Sequence, residues 1–346
     1  MLLRDKTAIV TGIGPGMGRA IALAFAREGA RLAIGARNEE RLAAVAAEIE
    51  AAGGEVIAVP TDISDRPQCQ RLVEETVKHF GALDVLVQNA AHGGDFTPAA
   101  TADPDRWREI MDCNFFGALH LTQFCVPYMK DRGEGRIILI NSGAALGPPP
   151  AFGAYAASKS ALSSLVRSLA VELGADGIRV NGVALGLVDG DSFGAYATML
   201  ARSSGRSQEE VLAEVGESLP LGAIPSPEDC AGSIVFLASD LARPITGQNL
   251  RVNGGLLRRV PTRAVSGANT VERGSLPTAA PLRADRVGVL RNLSRAWVRR
   301  ARLGAVPRPA RSARDLPAPS SAASGPAPRR PVRHATARAR AVSLQG

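Results

Sequence analysis

The chain has 346 residues, 45% of them hydrophobic, enough for one large α/β domain or two smaller ones. Its formal charge of +8 is unevenly divided: residues 256–346 hold 19 arginines, no lysine and three acids, leaving −8 on residues 1–255. Four cysteines without Cys-x-x-Cys spacing, no secretion-type leader and no apolar run of membrane-spanning length argue against zinc, disulfide-framework, secreted and membrane classes, so a soluble cytoplasmic protein is expected.

The first predicted element is a strand, Thr7-Ala-Ile-Val10, running into Thr11-Gly12-Ile-Gly14-Pro-Gly16-Met-Gly18 and then a helix from Arg19 to Glu28. Strand, glycine turn and helix in that order let backbone approach a pyrophosphate at a helix N-terminus. A merely glycine-rich turn does not account for four glycines between two strong elements. Pro15 has no amide N–H and removes one phosphate donor.

A second strand, 31–35, ends at Ala36-Arg37. An acid at this point takes ribose hydroxyls, whereas an arginine suits a 2′-phosphate. Arg37 therefore points to NADP(H), the bland alternative being a solvated arginine ahead of helix 38–52. Strand 55–59 leads to Thr61-Asp62-Ile63, where Asp62 either accepts from an adenine amino group or caps the helix starting near Asp65. Helix 65–80 and strand 83–87 bring the chain to Gln88-Asn89-Ala90-Ala91. Alternating strands and long helices predict a parallel sheet covered on both faces, with ligands beyond the carboxyl ends of its strands. His92 follows in a loop and reads as solvated.

A long helical region, 103–130, contains Asn114. A mid-helix amide needs a specific partner: a bond to a neighbouring segment is one account, and a water held by its side chain or bent backbone is the other. Strand 136–140 ends near Ser142. The loop Gly143 to Pro150, stiffened by three prolines, is expected to form a substrate-facing wall. A helix carrying Tyr155-Ala-Ala-Ser-Lys159 runs to about Gly174. A phenol and an ammonium four residues apart share a helix face, and the cation is expected to lower the phenol's pKa toward a working range. Strand 178–183, a glycine-containing lid over 187–217 with a helix at 209–217, helix 227–239 and strand 248–252 complete the body at Asn253-Gly254-Gly255.

Residues 5 to 255 resemble the short-chain dehydrogenase/reductase family. The resemblance rests on Thr11-Gly12-x-x-x-Gly16-x-Gly18, Asp62, Gln88-Asn89-Ala90-Ala91, Asn114, Ser142, Tyr155-x-x-x-Lys159 and the Asn-Gly-Gly terminus. It implies a Rossmann-type doubly wound parallel sheet of about seven strands, usually a homotetramer, with a homodimer as the alternative. The implied reaction is hydride transfer between a carbonyl and a secondary alcohol, with NADP(H) preferred and NAD(H) the alternative. Asn114, Ser142, Tyr155 and Lys159 would be the active set: Tyr155 as acid/base, Ser142 orienting the substrate oxygen, and Lys159 also holding the nicotinamide ribose. Gly12, Gly14, Gly16, Met17, Gly18, Arg37, Asp62, Ile63, Asn89, Ala90 and Val188 would complete the cofactor site. Departures from the family pattern are Leu185 for proline, Gly190 for a threonine, Gln88 for asparagine and Ala91 for glycine.

The tail, 256–346, is expected to be mostly disordered, with ten prolines and Trp297 as its single aromatic residue. One stretch, 286–303, aligns Leu290, Leu293 and Trp297 on a helical face among arginines, as a nucleic-acid or membrane-surface helix would; an appended extension, or one read through from GC-rich DNA, is the favoured account of the tail. A rival to the enzyme is a nucleotide-sensing module whose basic tail contacts nucleic acid or acidic partners. The wall of Leu146, Pro148 to Phe152, Leu187 and Phe193 predicts an apolar carbonyl substrate.

Overall fold

The computed structural model describes residues 1–190, 197, 198, 201 and 205–256. Seven strands form one parallel sheet in the order β3-β2-β1-β4-β5-β6-β7. They are β1 (Thr7–Thr11), β2 (Arg31–Ala36), β3 (Val56–Pro60), β4 (Val85–Gln88), β5 (Gly135–Ser142), β6 (Ile178–Leu185) and β7 (Asn249–Val252). The helices are α1 (Met17–Arg27), α2 (Glu39–Ala51), α3 (Arg66–Phe80), α4 (Pro104–Met111), α5 (Gly117–Arg132), α6 (Gly153–Leu173), α7 (Gln208–Ser218) and α8 (Pro227–Ala238).

Side chains alternate across the sheet, so each strand feeds two cores. Ala8, Val10, Val85, Val87, Ile138 and Ile140 face Ile21 and Phe25 of α1, Leu42 and Ile49 of α2, and Ile234 and Leu237 of α8. Ile9, Leu86, Ile137 and Leu139 face Leu72 and Val73 of α3, Leu121 and Met129 of α5, and Leu162 and Val166 of α6. Each such buried Val, Leu, Ile, Phe or Met side chain contributes about 1.5–3 kcal/mol. Asp84, fully buried, accepts from the Thr7 amide at 2.8 Å and from Arg132 Nε at 3.1 Å, fixing the entry of β4 beside β1. Strand order reverses between β1 and β4, and the crevice beyond their carboxyl ends is the ligand position of such sheets.

The helical region over 103–130 is not continuous. A π-helical turn, Asp112–Phe116, separates α4 from α5 and sets Asn114 at its centre. Its side chain bonds the main chain of His92, an attachment that holds the widened turn. Strand β4 starts two residues later than expected, because Leu83 is buried in the approach to the sheet rather than within it. Strands β5 and β6 run on to Ser142 and Leu185, paired with each other at that end. The lid expectation falls partly outside the described residues, Phe193 and Gly194 included, as does the whole expectation for the tail beyond Leu256. Among the described residues, no helix is long and apolar enough to cross a membrane.

Candidate active site

The glycine turn between β1 and α1 divides into two pairs. Gly12 has φ +73° and, like Gly18, has no room for a side chain: a Cβ on Gly12 would strike the Ala90 backbone, and one on Gly18 the Gly12 carbonyl. These two hold β1, β4 and α1 together. A Cβ on Gly14 or Gly16 would meet nothing within 4 Å, so their backbone opens directly on the cleft. Helix α1 starts there with no side-chain cap and no acid in its first turn, whereas α2, α3 and α8 are capped by Asn38, Asp65 and Ser226. Open glycine backbone at an uncapped helix N-terminus fits a pyrophosphate. Asn89 braces the turn by donating from Nδ2 to the Gly12 carbonyl at 2.9 Å.

At the end of β2, Arg37 is exposed and its guanidinium lies 4.0 Å from Asp62. Burial raises the Asp62 carboxyl, but the two Ser64 hydrogen bonds and Arg37 outweigh it and leave its pKa lowered. The helix-cap reading of Asp62 is corrected, because Asp65 caps α3 and accepts from the Gln68 amide at 3.2 Å. Asp62 instead accepts from the amide and hydroxyl of Ser64 at 2.9 and 2.6 Å. Arg41, on the first turn of α2, lines the cleft with Arg37.

Beyond the switch point, Ser142 ends β5, and α6 lays Tyr155 and Lys159 against it. The Ser142 hydroxyl accepts from the Ala144 amide at 3.2 Å, and its own proton lowers the pKa of the neighbouring Tyr155 phenol. Lys159 is 2% exposed, donates from Nζ to the Ile140 carbonyl at 2.9 Å, and sits 5.7 Å from the centre of the Tyr155 ring. Asn114 is buried behind them. Its amide nitrogen donates to the His92 carbonyl at 3.0 Å and to Ser158 Oγ at 2.9 Å, and its oxygen accepts from the His92 amide at 2.7 Å. Ser158 in turn donates to the Tyr155 carbonyl at 2.7 Å, so Asn114 braces the first turn of α6. With its side chain committed in this way, the first account of Asn114 describes its amide, and a water could be held only by its main chain. The His92 ring is exposed and its Nδ1 accepts from the Gly94 amide at 3.1 Å.

One continuous cleft of about 1190 Å³ brings together every expected site residue except Asn114. The direction of the Tyr155 shift departs from expectation. Burial pushes its phenol up, opposed by the Ser142 hydrogen bond, while burial pulls Lys159 down to about 8. Withdrawal from water favours the neutral form of each group. The Tyr155 phenol is therefore protonated at neutral pH, beside a lysine whose pKa is lowered to about 8.

The chain matches, over residues 12–257, the family model described as enoyl-(acyl carrier protein) reductase. It is 34% identical over 258 residues to human dehydrogenase/reductase SDR family member 4, an alignment covering 75% of this chain and 90% of the relative. The chain belongs to the short-chain dehydrogenase/reductase family. It is 39% identical over 261 residues to the L-rhamnose 1-dehydrogenase (NAD(P)(+)) of Azotobacter vinelandii, covering 74% of this chain and 98% of that one. Among solved structures it is similar to the L-sorbose reductase of Gluconobacter frateurii complexed with NADPH and L-sorbose, with TM-score 0.71 and 31% identity, covering 75% of this chain and 100% of that chain. As a short-chain dehydrogenase/reductase it is an NAD(P)-dependent oxidoreductase acting on CH–OH and carbonyl groups, and the sensing-module alternative is not favoured.

Two of the departures from the family pattern, Leu185 and Gln88, have local accounts. Leu185 closes β6 opposite Val252, and the Gly186 amide continues the ladder to the Val252 carbonyl at 3.0 Å. Gln88 folds back to donate to the Ala90 carbonyl at 2.8 Å. Sequence reasoning missed Arg41, Ser64 and Phe96. Arg41 had a usable signal, four residues after Arg37 at the start of a helix.

Proposed function

We propose that this enzyme uses NADPH to reduce a carbonyl compound with apolar substituents. A half-buried, protonated Tyr155 whose pKa Ser142 lowers, one helical turn from Lys159, carries the reading. The nicotinamide, when bound, supplies the hydride. Ser142 and Tyr155 point hydroxyl protons at the substrate oxygen, where negative charge develops. Tyr155 then gives up its proton, and the Lys159 cation stabilises the phenolate left behind. Asn114 positions the base of α6, and its main chain is the route for a water returning the proton. Gly12, Gly14, Gly16, Met17, Gly18, Asp62, Ile63, Asn89, Ala90 and Val188 would hold the dinucleotide. Residues 1–255 constitute the catalytic domain, working as a homotetramer or homodimer in the cytoplasm.

Arg37 and Arg41 favour a 2′-phosphate, since β2 ends without an acid to take ribose hydroxyls. The test is NADPH and NADH oxidation with a panel of ketones, comparing wild type with Arg37→Ala. Wild type is expected to prefer NADPH. The variant should lose about tenfold to a hundredfold in kcat/KM for NADPH, the scale of a charged hydrogen bond, with little change for NADH. Equal losses with both cofactors would count against the assignment.

A pH profile follows from the same geometry. Lys159 carries its charge below about 8, and kcat/KM reports the free enzyme. Carbonyl reduction measured this way is expected to hold through neutral pH and fall as pH rises through about 8. A profile that climbs across that range would contradict it.

A further inference from the structure

Two loops meet over the mouth of the cleft, and each carries backbone that an L-residue rarely adopts. Phe96, in the loop after β4, has φ 56°, and Ala151, in the proline-rich loop before α6, has φ 65°. Such residues persist only where surrounding structure holds them, and they cluster at ligand clamps. Here the surroundings are visible. A Cβ on Gly153 would come within 3.2 Å of two Trp107 ring atoms and 3.4 Å of Ala99 Cβ, so the start of α6 and the Phe96 loop are pressed together. The Phe152 amide donates to the Pro149 carbonyl at 3.2 Å, closing the loop that Ala151 turns.

The product of this geometry is a row of rings. Phe96 and Phe152 lie 4.8 Å apart with planes at 48°, and Phe152 stands edge-on to Tyr155 at 6.4 Å. Phe96 and Phe152 line the cleft and are half-buried. The wall beside them, Pro148 to Ala151, has no polar side chain. A sugar substrate would need several side-chain hydrogen bonds at this place, whereas a flat apolar group needs only ring faces and edges.

We infer that Phe96 and Phe152 form an aromatic clamp that determines specificity, selecting carbonyl substrates whose larger substituent is an aryl or similarly flat apolar group. The inference rests on the reductase reading above and adds the substrate class. The ring row ends at the proton donor, so a substituent held by the clamp sets its carbonyl beside Tyr155 and Ser142. The two phenylalanines touch each other, so the clamp is one unit and its two members are coupled.

The experiment measures kcat/KM with NADPH for three probes: acetophenone, butanone and L-sorbose. Wild type is expected to favour acetophenone over both by at least about tenfold, the scale of a well-filled apolar subsite. Phe96→Ala and Phe152→Ala should each lower the acetophenone-to-butanone ratio by about fivefold to tenfold, through KM more than kcat. The double variant should lose less than the product of the two. Phe152→Leu keeps apolar volume without the ring and serves where an alanine variant melts early; it should lower the ratio by about threefold. Ratios unchanged within about twofold in the folded variants, or a wild-type preference for L-sorbose, would overturn the clamp alone. NADPH oxidation with none of the three would overturn the reductase reading, and the clamp with it.

Discussion

Lys159→Met is expected to abolish most turnover while making the protein more stable. The wild-type ammonium is held without water at 2% exposure, which moves its pKa from 10.5 to about 8. That displacement corresponds to about 3 kcal/mol of folding free energy lost at neutral pH. Methionine fills similar volume with no charge to desolvate. The hydrogen bond to the Ile140 carbonyl is lost, at about 1 kcal/mol. A net gain of about 2 kcal/mol remains, or a Tm higher by about 5 °C for a domain of this size. Catalysis moves the other way, because the phenolate formed at Tyr155 loses its only adjacent cation among the described residues. A fall of about 10²–10³ in kcat is the expected scale.

The pH dependence separates this account from ordinary repacking. Between about 8 and 10.5 the unfolded chain holds the Lys159 proton more tightly than the folded one, so this group's cost disappears as pH rises through that window. The Tm advantage of the variant should therefore shrink from pH 8 toward pH 10.5. A variant that melts several degrees below wild type at pH 7 would mean that the buried cation is a net stabiliser, contrary to the assignment.

Much of the site could be read from local pattern. The spacing of Tyr155 and Lys159 places both on one helix face, and β5 delivers Ser142 as a strand end must. The cores on the two faces of the sheet are legible in uninterrupted apolar runs such as Ile137 to Ile140, which suit a strand buried on both faces. What escaped was set by tertiary packing. Nothing local marks the π turn at Asn114, because it depends on a bond to His92, 22 residues away. The direction of the Tyr155 shift follows from burial of both titrating groups, whereas helix spacing alone counts the cation and ignores the lost water. The Phe96–Phe152 contact joins two loops that fold independently of any periodicity.

The largest single effect is expected at Tyr155, which the proposal makes the proton donor. Tyr155→Phe removes one oxygen, keeps the ring that packs on Phe152, and leaves the glycine turn and Lys159 in place. General-acid catalysis by a positioned side chain contributes about 10²–10⁴-fold, and here the same hydroxyl also meets the developing alkoxide. The decisive measurement pairs NADPH binding, followed by nicotinamide fluorescence, with steady-state ketone reduction in wild type and Tyr155→Phe. The account predicts cofactor affinity within about threefold of wild type and turnover reduced by at least about 10³. A variant that binds NADPH normally and reduces ketones at the wild-type rate would contradict it.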